Sequence, residues 1–442
     1  MSFIFLIFEK IIYFLRQCTM AGKAFILESK RFITILSKTI SMGLKTRLQL
    51  STMMFLQYFI WGTWYVTLNT YLGHTLGFSA TQIGLCYGTF AIAAMISPFF
   101  VGLIADKYFA TERVLGAMHL LGAVLLIVAS RATTFQFFYP ALLLYTLTYA
   151  PTMALTTSLS FHQMEDPGKQ FPGVRVLGTI GWIVANNVIG WLGYTSSVEQ
   201  LYVGAAVSLM LGFYSFTLPH VPPKKEKKAS VKELLGFDAL SLFKTRSFST
   251  LMIASVLIFI PVSFYFGFTA SFMSDIGIDF IPNKISLGQV SEILFMLILP
   301  LFLIRFGLKW VLFVGAGAWL LRFLLFANGD AESGMWMIYA GIILHGICYD
   351  FFVVAGQIYV DKQAPDHLKS SAQGLITFAT YGLGMFIGTW IAGRTIDMLT
   401  IDGTPDWVKI WYVPAALSAV VLILFIFLFK EKKGTREAVE NT

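Results

Sequence analysis

The chain is 442 residues long, 57% hydrophobic and 13% charged, with a mean hydropathy of +0.72. Soluble domains carry about a quarter charged residues, so this composition excludes a soluble globular protein and indicates a polytopic membrane protein. The net charge of +8 does not point to nucleic acid, because the Lys and Arg fall between apolar stretches, where membrane topology places them.

Residues 1–41 differ from the rest. Met1 to Leu15 is apolar but broken by Glu9 and Lys10, with no small-residue cleavage site after it, so it does not read as a signal peptide. It is taken as an N-terminal extension, either an interfacial amphipathic segment or the product of a misassigned upstream start, and is given no function. Apolar runs of about 20 residues then recur, the length a helix needs to cross ~30 Å of hydrocarbon. They lie near 49–73, 82–105, 113–131, 135–160, 174–194, 199–219, 248–274, 286–305, 309–327, 334–360, 370–396 and 408–430. The expectation is therefore an all-α polytopic membrane protein with twelve transmembrane helices.

The longest polar connection separates the sixth and seventh runs, with Lys224, Lys225, Lys227, Lys228 and Lys232 in it. This divides the chain into a six-helix half at 42–219, a basic linker at 220–246, a second six-helix half at 247–430 and a tail at 431–442. Lys and Arg concentrate in alternate loops, at the linker and at both ends. That bias makes both termini and the linker cytoplasmic, in agreement with an even helix count.

Two six-span blocks joined by a basic loop are the layout of the major facilitator fold, where solute binds between halves near mid-membrane. After the second run, Gly102, Asp106 and Lys107, followed by Arg113, resemble that superfamily's G-x-x-x-D-[RK] cytoplasmic gate loop. The cysteines Cys18, Cys86 and Cys348 are far apart and suggest neither disulfides nor a metal site. No nucleophile elbow, phosphate loop or metal-ligand spacing appears, so no enzyme, cofactor or metal is expected.

Polar residues inside apolar runs are costly and mark function. In the fifth run Arg175, Thr179 and Trp182 share one helical face; Arg175 reads either as a ligand group or as an interfacial anchor. Gly178 and Gly181 there, and Gly384 and Gly388 in the eleventh run, suit close helix packing. In the eighth run Gln289 and Glu292 are three apart, either as a hydrogen-bonding pair for ligand hydroxyls or with Glu292 in a salt bridge to Arg322 or Arg175. In the tenth run His345, Tyr349 and Phe352 form one stripe, with Asp350 and Gln357 on a neighbouring one. A site joining Asp350, Glu292 and Arg175 is equipped to bind and release a proton. Gln57, Trp61 and Trp64 share a face of the first run, for packing or stacking. His119 has no evident partner and is left as structural, and Arg394 with Asp397 reads as a local ion pair.

Several stretches together resemble the nucleoside:proton symporters of the major facilitator superfamily. They are Phe55–Trp64, Phe171–Gly181, Gln289–Glu292, His345–Phe352, Ser371–Gly374 and Leu218–Pro222. The resemblance, from about Met42 to Lys430, implies a bacterial inner-membrane permease that imports nucleosides with protons by alternating access. It implies a substrate site at Arg175, Thr179, Gln289, Glu292 and Asp350, with aromatics at Trp182 and Tyr349 and His345 where some members carry Tyr. Asp350 or Glu292 is the expected proton carrier. The transported species are nucleoside and proton, the surroundings a lipid bilayer, and the protein is expected as a monomer. The seventh run departs from the pattern. Where the family uses two amides, residues 260–271 contain neither Gln nor Asn, and Ser263 falls where the Gln is expected. A proton symporter for a sugar or other polyol-like solute is the alternative that this departure keeps open.

Overall fold

In hydrocarbon every backbone N–H and C=O must be satisfied within the chain, which favours helices. The computed structural model describes residues 43–100, 109–223, 237–365 and 368–429, and these are helical apart from turns and one short hairpin. The predicted N-terminal extension, the gate residues Gly102, Asp106 and Lys107, residues 224–236 of the basic linker and the C-terminal tail lie outside the described residues.

In chain order, α1 is Leu44–Trp64, continued after a break by Leu68–Thr70 and the π-helical Tyr71–Thr75. Helices α2 to α6 are Ala80–Phe100, Thr111–Arg131, Phe135–His162, Pro167–Trp191 and Glu199–Ser215. A 3₁₀ segment, Phe237–Lys244, leads into α7, Arg246–Asp275, followed by α8, Ile281–Phe306, and α9, Leu308–Asn328. Helix α10 runs in consecutive pieces, Met335–Ile343, His345–Tyr349, the π-helical Asp350–Val354 and Ala355–Gln363. Helix α11 is likewise Lys369–Thr377, the π-helical Phe378–Gly384 and Met385–Met398. Helix α12 is Trp407–Leu428, N-capped by the Asp406 carboxylate accepting from the Lys409 N–H at 3.1 Å.

Among the described residues, 8 helices are long and apolar enough to cross a membrane by length and composition. Helix α8 shows the reason for its orientation in its side chains. Val290, Leu294, Leu297, Leu301 and Ile304, spaced four or three apart, are all exposed and form one apolar stripe, while Gln289 is buried on the other side. Helices α8 and α9 meet at a single residue, Gly307, whose φ of 76° a side chain would resist. Between α11 and α12 the strands β1 (Thr400–Ile401) and β2 (Thr404–Pro405) pair antiparallel across Asp402–Gly403, both at positive φ. That is the two-residue hairpin this dipeptide favours.

Helix α1 packs on α5 and α6, α3 on α4 and α6, and α2 on α4. Later in the chain, α7 packs on α11 and α12, α9 on α10 and α12, and α8 on α10. The two sets touch through α2 with α11, α5 with α8, and Leu68–Thr70 with α7. The glycines expected to serve packing do so. A Cβ on Gly181 would overlap the Phe55 carbonyl, and Gly388 faces Ser263 and Ile260 of α7.

Polar ties secure the ends. Near residue 220, the Glu112 carboxylate sits 2.7 Å from His220 Nδ1 and accepts from Val221 N–H at 3.0 Å, while Thr111 N–H donates to the Val221 carbonyl at 3.1 Å. At the other end, Asp275 contacts His74 Nε2 at 3.0 Å and accepts from Trp407 Nε1 at 2.9 Å. Asp397 accepts from the N–H groups of Ala80 (2.8 Å) and Thr81 (2.9 Å) and from the Thr81 hydroxyl. This corrects the expected Arg394–Asp397 ion pair. Asp397 caps the first turn of α2, where the free N–H groups and helix dipole favour an anion, and Arg394 is exposed.

Candidate functional site

Where α5 faces α8, a cavity of about 110 Å³ opens between the two sets of helices. Seven of the eight predicted substrate residues line it: Arg175, Thr179 and Trp182 from α5, Gln289 and Glu292 from α8, and His345 and Tyr349 from α10. Helical spacing on three separate helices thus converges on one space.

Arg175 is not drawn away to the interface. Its guanidinium lies 4.1 Å from the centre of the Tyr58 ring, in cation–π contact, and borders the cavity. Trp182 meets Trp61 edge-on at 4.8 Å, and Trp61 stacks on Phe90 at 4.9 Å, giving an aromatic wall. On the opposite side Tyr349 stacks against His345 at 5.7 Å and shares a hydroxyl–hydroxyl hydrogen bond with Tyr381. Glu292 is 22% exposed, and its Oε2 lies 3.6 Å from His345 Nε2. The salt bridge weighed for it, to Arg322 or Arg175, is not formed among the described residues, because the His345 ring stands between Glu292 and Arg322.

Asp350 is the member that does not line the cavity. It is fully buried, and neither carboxylate oxygen has a hydrogen-bond partner. The cause is its stripe. Asp350 follows Tyr349 by one residue, about 100° around the helix, and it opens the π-helical turn. Such turns recur at functional sites because they break the regular hydrogen-bond ladder.

The cavity also takes residues that the sequence reading passed over. Tyr58, Tyr65, Phe90, Phe266, Tyr381 and Met385 complete the lining. Tyr58 was legible, since it stands three before Trp61 on the same face; the others sit in uniformly apolar runs and carried no signal. From α7 the lining residue is Phe266. Ser263, at the position of the missing amide, is buried, and its hydroxyl donates to the Phe259 carbonyl at 2.8 Å, within its own helix. The stripe of the first run splits in role. Trp61 borders the cavity, whereas Trp64 is buried beneath it and donates to the Tyr145 hydroxyl at 3.3 Å. His119 does have partners: Nε2 lies 2.8 Å from Gln57 Oε1 and Nδ1 lies 3.3 Å from the Ser208 hydroxyl. Gln57 in turn donates to Thr152 at 2.8 Å, so these groups form a closed structural network. Sequence spacing could not show it, because its members come from four helices. Among the described residues no group of three or more His, Cys, Asp or Glu is placed to hold a metal ion.

A helical membrane protein with a mixed aromatic and charged cavity between two helix sets is of the solute-transporter class. The comparison with known structures agrees. The crystal structure of nucleoside transporter NupG superposes with a TM-score of 0.82 at 34% identity, covering 88% of this chain and all (100%) of that one. A family model described as nucleoside H+ symporter matches residues 44–434. The chain belongs to that family. YegT of Escherichia coli (strain K12) is 38% identical over 412 residues, 90% of this chain and 97% of that protein. Nucleoside permease NupG of the same strain is 35% identical over 402 residues, 87% of this chain and 96% of that protein. These relatives are membrane transporters, not enzymes.

Proposed function

We propose that the protein imports nucleosides with protons across a bacterial inner membrane by alternating access. In this reading twelve helices cross the membrane as two six-helix halves, 42–219 and 247–430, with the linker at 220–246, the 1–41 extension, the 431–442 tail and both termini on the cytoplasmic side. The observation that carries the proposal is the cavity. Guanidinium, amide, carboxyl and hydroxyl groups from both halves face one aromatic-walled space, which suits a solute with a ring at one end and hydroxyls at the other.

Trp182, Trp61 and Tyr349 would hold the base by stacking, with Arg175, Thr179, Gln289, Glu292 and His345 serving the polar groups. Asp350 behind Tyr349 is the preferred proton carrier, with Glu292 the alternative. An unpaired buried charge is costly, and a bound proton removes the charge. The gate motif Gly102, Asp106, Lys107 and Arg113 would close the cytoplasmic side. The ties at Asp275 and Asp397 would then belong to the periplasmic end, which they hold shut.

Uptake of radiolabelled uridine and adenosine into proteoliposomes with an imposed inward proton gradient tests the reading. Accumulation that an uncoupler abolishes is expected; uptake indifferent to the gradient would remove the coupling. The seventh-helix departure favours one competing reading, a polyol-like solute. A thermal-shift panel of nucleosides and sugars separates them, since bound solute raises the melting temperature by mass action.

A further inference from the structure

Behind the cavity wall lies Arg322 of α9, which the transport cycle described above does not use. It is fully buried and does not line the cavity. Among the described residues it forms no ion pair with a carboxylate. Its charge is held instead by aromatic faces and carbonyls. The guanidinium carbon lies 4.0 Å from the centre of the Tyr265 ring and 4.7 Å from that of Trp319. Nε donates to the Gly341 carbonyl at 2.8 Å, Nη2 reaches the Ile342 carbonyl at 3.4 Å, and Nη1 lies 3.3 Å from His345 Nδ1.

The chemistry of that last contact is one-sided. A guanidinium has N–H donors and no acceptor, and it stays protonated in proteins. His345 Nδ1 must therefore offer its lone pair. An imidazole that accepts at Nδ1 carries its proton at Nε2, and Nε2 is the atom 3.6 Å from Glu292 Oε2. The ring cannot turn freely to exchange the two nitrogens. It is 2% exposed, stacked between Tyr265 at 5.4 Å and Tyr349 at 5.7 Å, with Phe266 edge-on at 6.0 Å.

We propose that Arg322 is a positioning residue that fixes His345 as the Nε2–H tautomer. The cavity wall then presents a hydrogen-bond donor beside Glu292, which selects an acceptor atom on the solute. The selection step rests on the cavity being the solute site; the tautomer does not.

The test is ¹⁵N NMR of the purified transporter labelled at histidine, with the His345 signals assigned by their loss in His345→Gln. A bare-nitrogen signal at Nδ1 and an N–H signal at Nε2 are expected. A protonated Nδ1, alone or with Nε2, would overturn the proposal, and this measurement needs neither a transported solute nor an Arg322 variant. In Arg322→Gln the ring should shift toward a mixture of tautomers. KM for the solute should rise about tenfold, the effect of one lost hydrogen bond to a charged or fixed donor, while kcat changes less. Arg322→Lys, which keeps a cationic donor, should recover part of the loss. In a His345→Gln background Arg322→Gln should add little to KM. Full additivity of the two would show that Arg322 acts on packing alone and not through the ring. Should no nucleoside be carried, the proposed function fails while the NMR result still decides the tautomer.

Discussion

The two acids of the proposed site differ in their surroundings. Glu292 borders the cavity and faces His345, while Asp350 is sealed behind Tyr349 with both oxygens unpartnered. The expected division is that Asp350→Asn still exchanges labelled for unlabelled solute across the membrane but no longer accumulates it against a gradient. Counterflow and gradient-driven uptake, measured on the same vesicles, separate the two activities. Glu292→Gln should instead weaken binding as well, since its carboxylate borders the cavity. Trp182→Ala, which removes one aromatic wall, should raise KM by up to about tenfold, as a stacking contact contributes roughly 0.5–1.5 kcal/mol. At this scale the sequence was informative wherever a polar residue broke an apolar run. Arg175, Gln289, Glu292 and His345 were visible for that reason, and their spacing placed them on the right faces. What spacing could not convey was depth behind the wall. Asp350 was grouped with the lining residues although one residue's rotation carries it out of the cavity, and Phe266 or Tyr381 looked like any other aromatic among many.

Helix contacts depend on where side chains are missing. Gly181 of α5 lies against the Phe55 carbonyl of α1, and Gly178 lies against Tyr58. Gly181→Val should force the two helices apart at the cavity's edge, costing ~1–3 kcal/mol as overpacking does; a lower melting temperature in detergent, read by fluorescence-detected gel filtration, checks it. Helix positions followed from hydrophobic length alone to within a few residues at most ends. The interruptions did not follow. Neither the break after Trp64, nor the π-helical turns in α10 and α11, nor the Asp397 cap on α2 leaves a mark in the pattern of apolar runs. Asp397 illustrates the difficulty well. Arg394, one helical turn away, is the nearest partner in sequence, yet two backbone N–H groups more than 300 residues upstream claim the carboxylate.

For the molecule as a whole, the Asp275 and Asp397 contacts tie helices of the early set to helices of the late set. His74 and Asp275 are partly exposed, at 42% and 26%, so their pairing is worth ~0.2–1 kcal/mol; the Asp397 cap adds ~0.5–2 kcal/mol. Asp397→Ala combined with His74→Ala should shift the resting population toward the opposite access state. A single cysteine placed in the cavity wall at Thr179 would report it, with faster labelling by an impermeant maleimide added from outside. Unchanged labelling would show that the ties do not hold this end closed. The same molecule carries two irregular turns beside the cavity. The π-helical turn Asp350–Val354 begins directly after Tyr349, and the turn Phe378–Gly384 contains Tyr381; the two hydroxyls are bonded to each other. A π turn holds one residue more than an α turn. Passing that surplus residue along the helix rotates the stretch between by about 100° and leaves both ends in register. About 100° is also the angle that separates Asp350 from Tyr349 at the cavity wall, so a shift of the surplus residue in α10 would turn Asp350 towards that face.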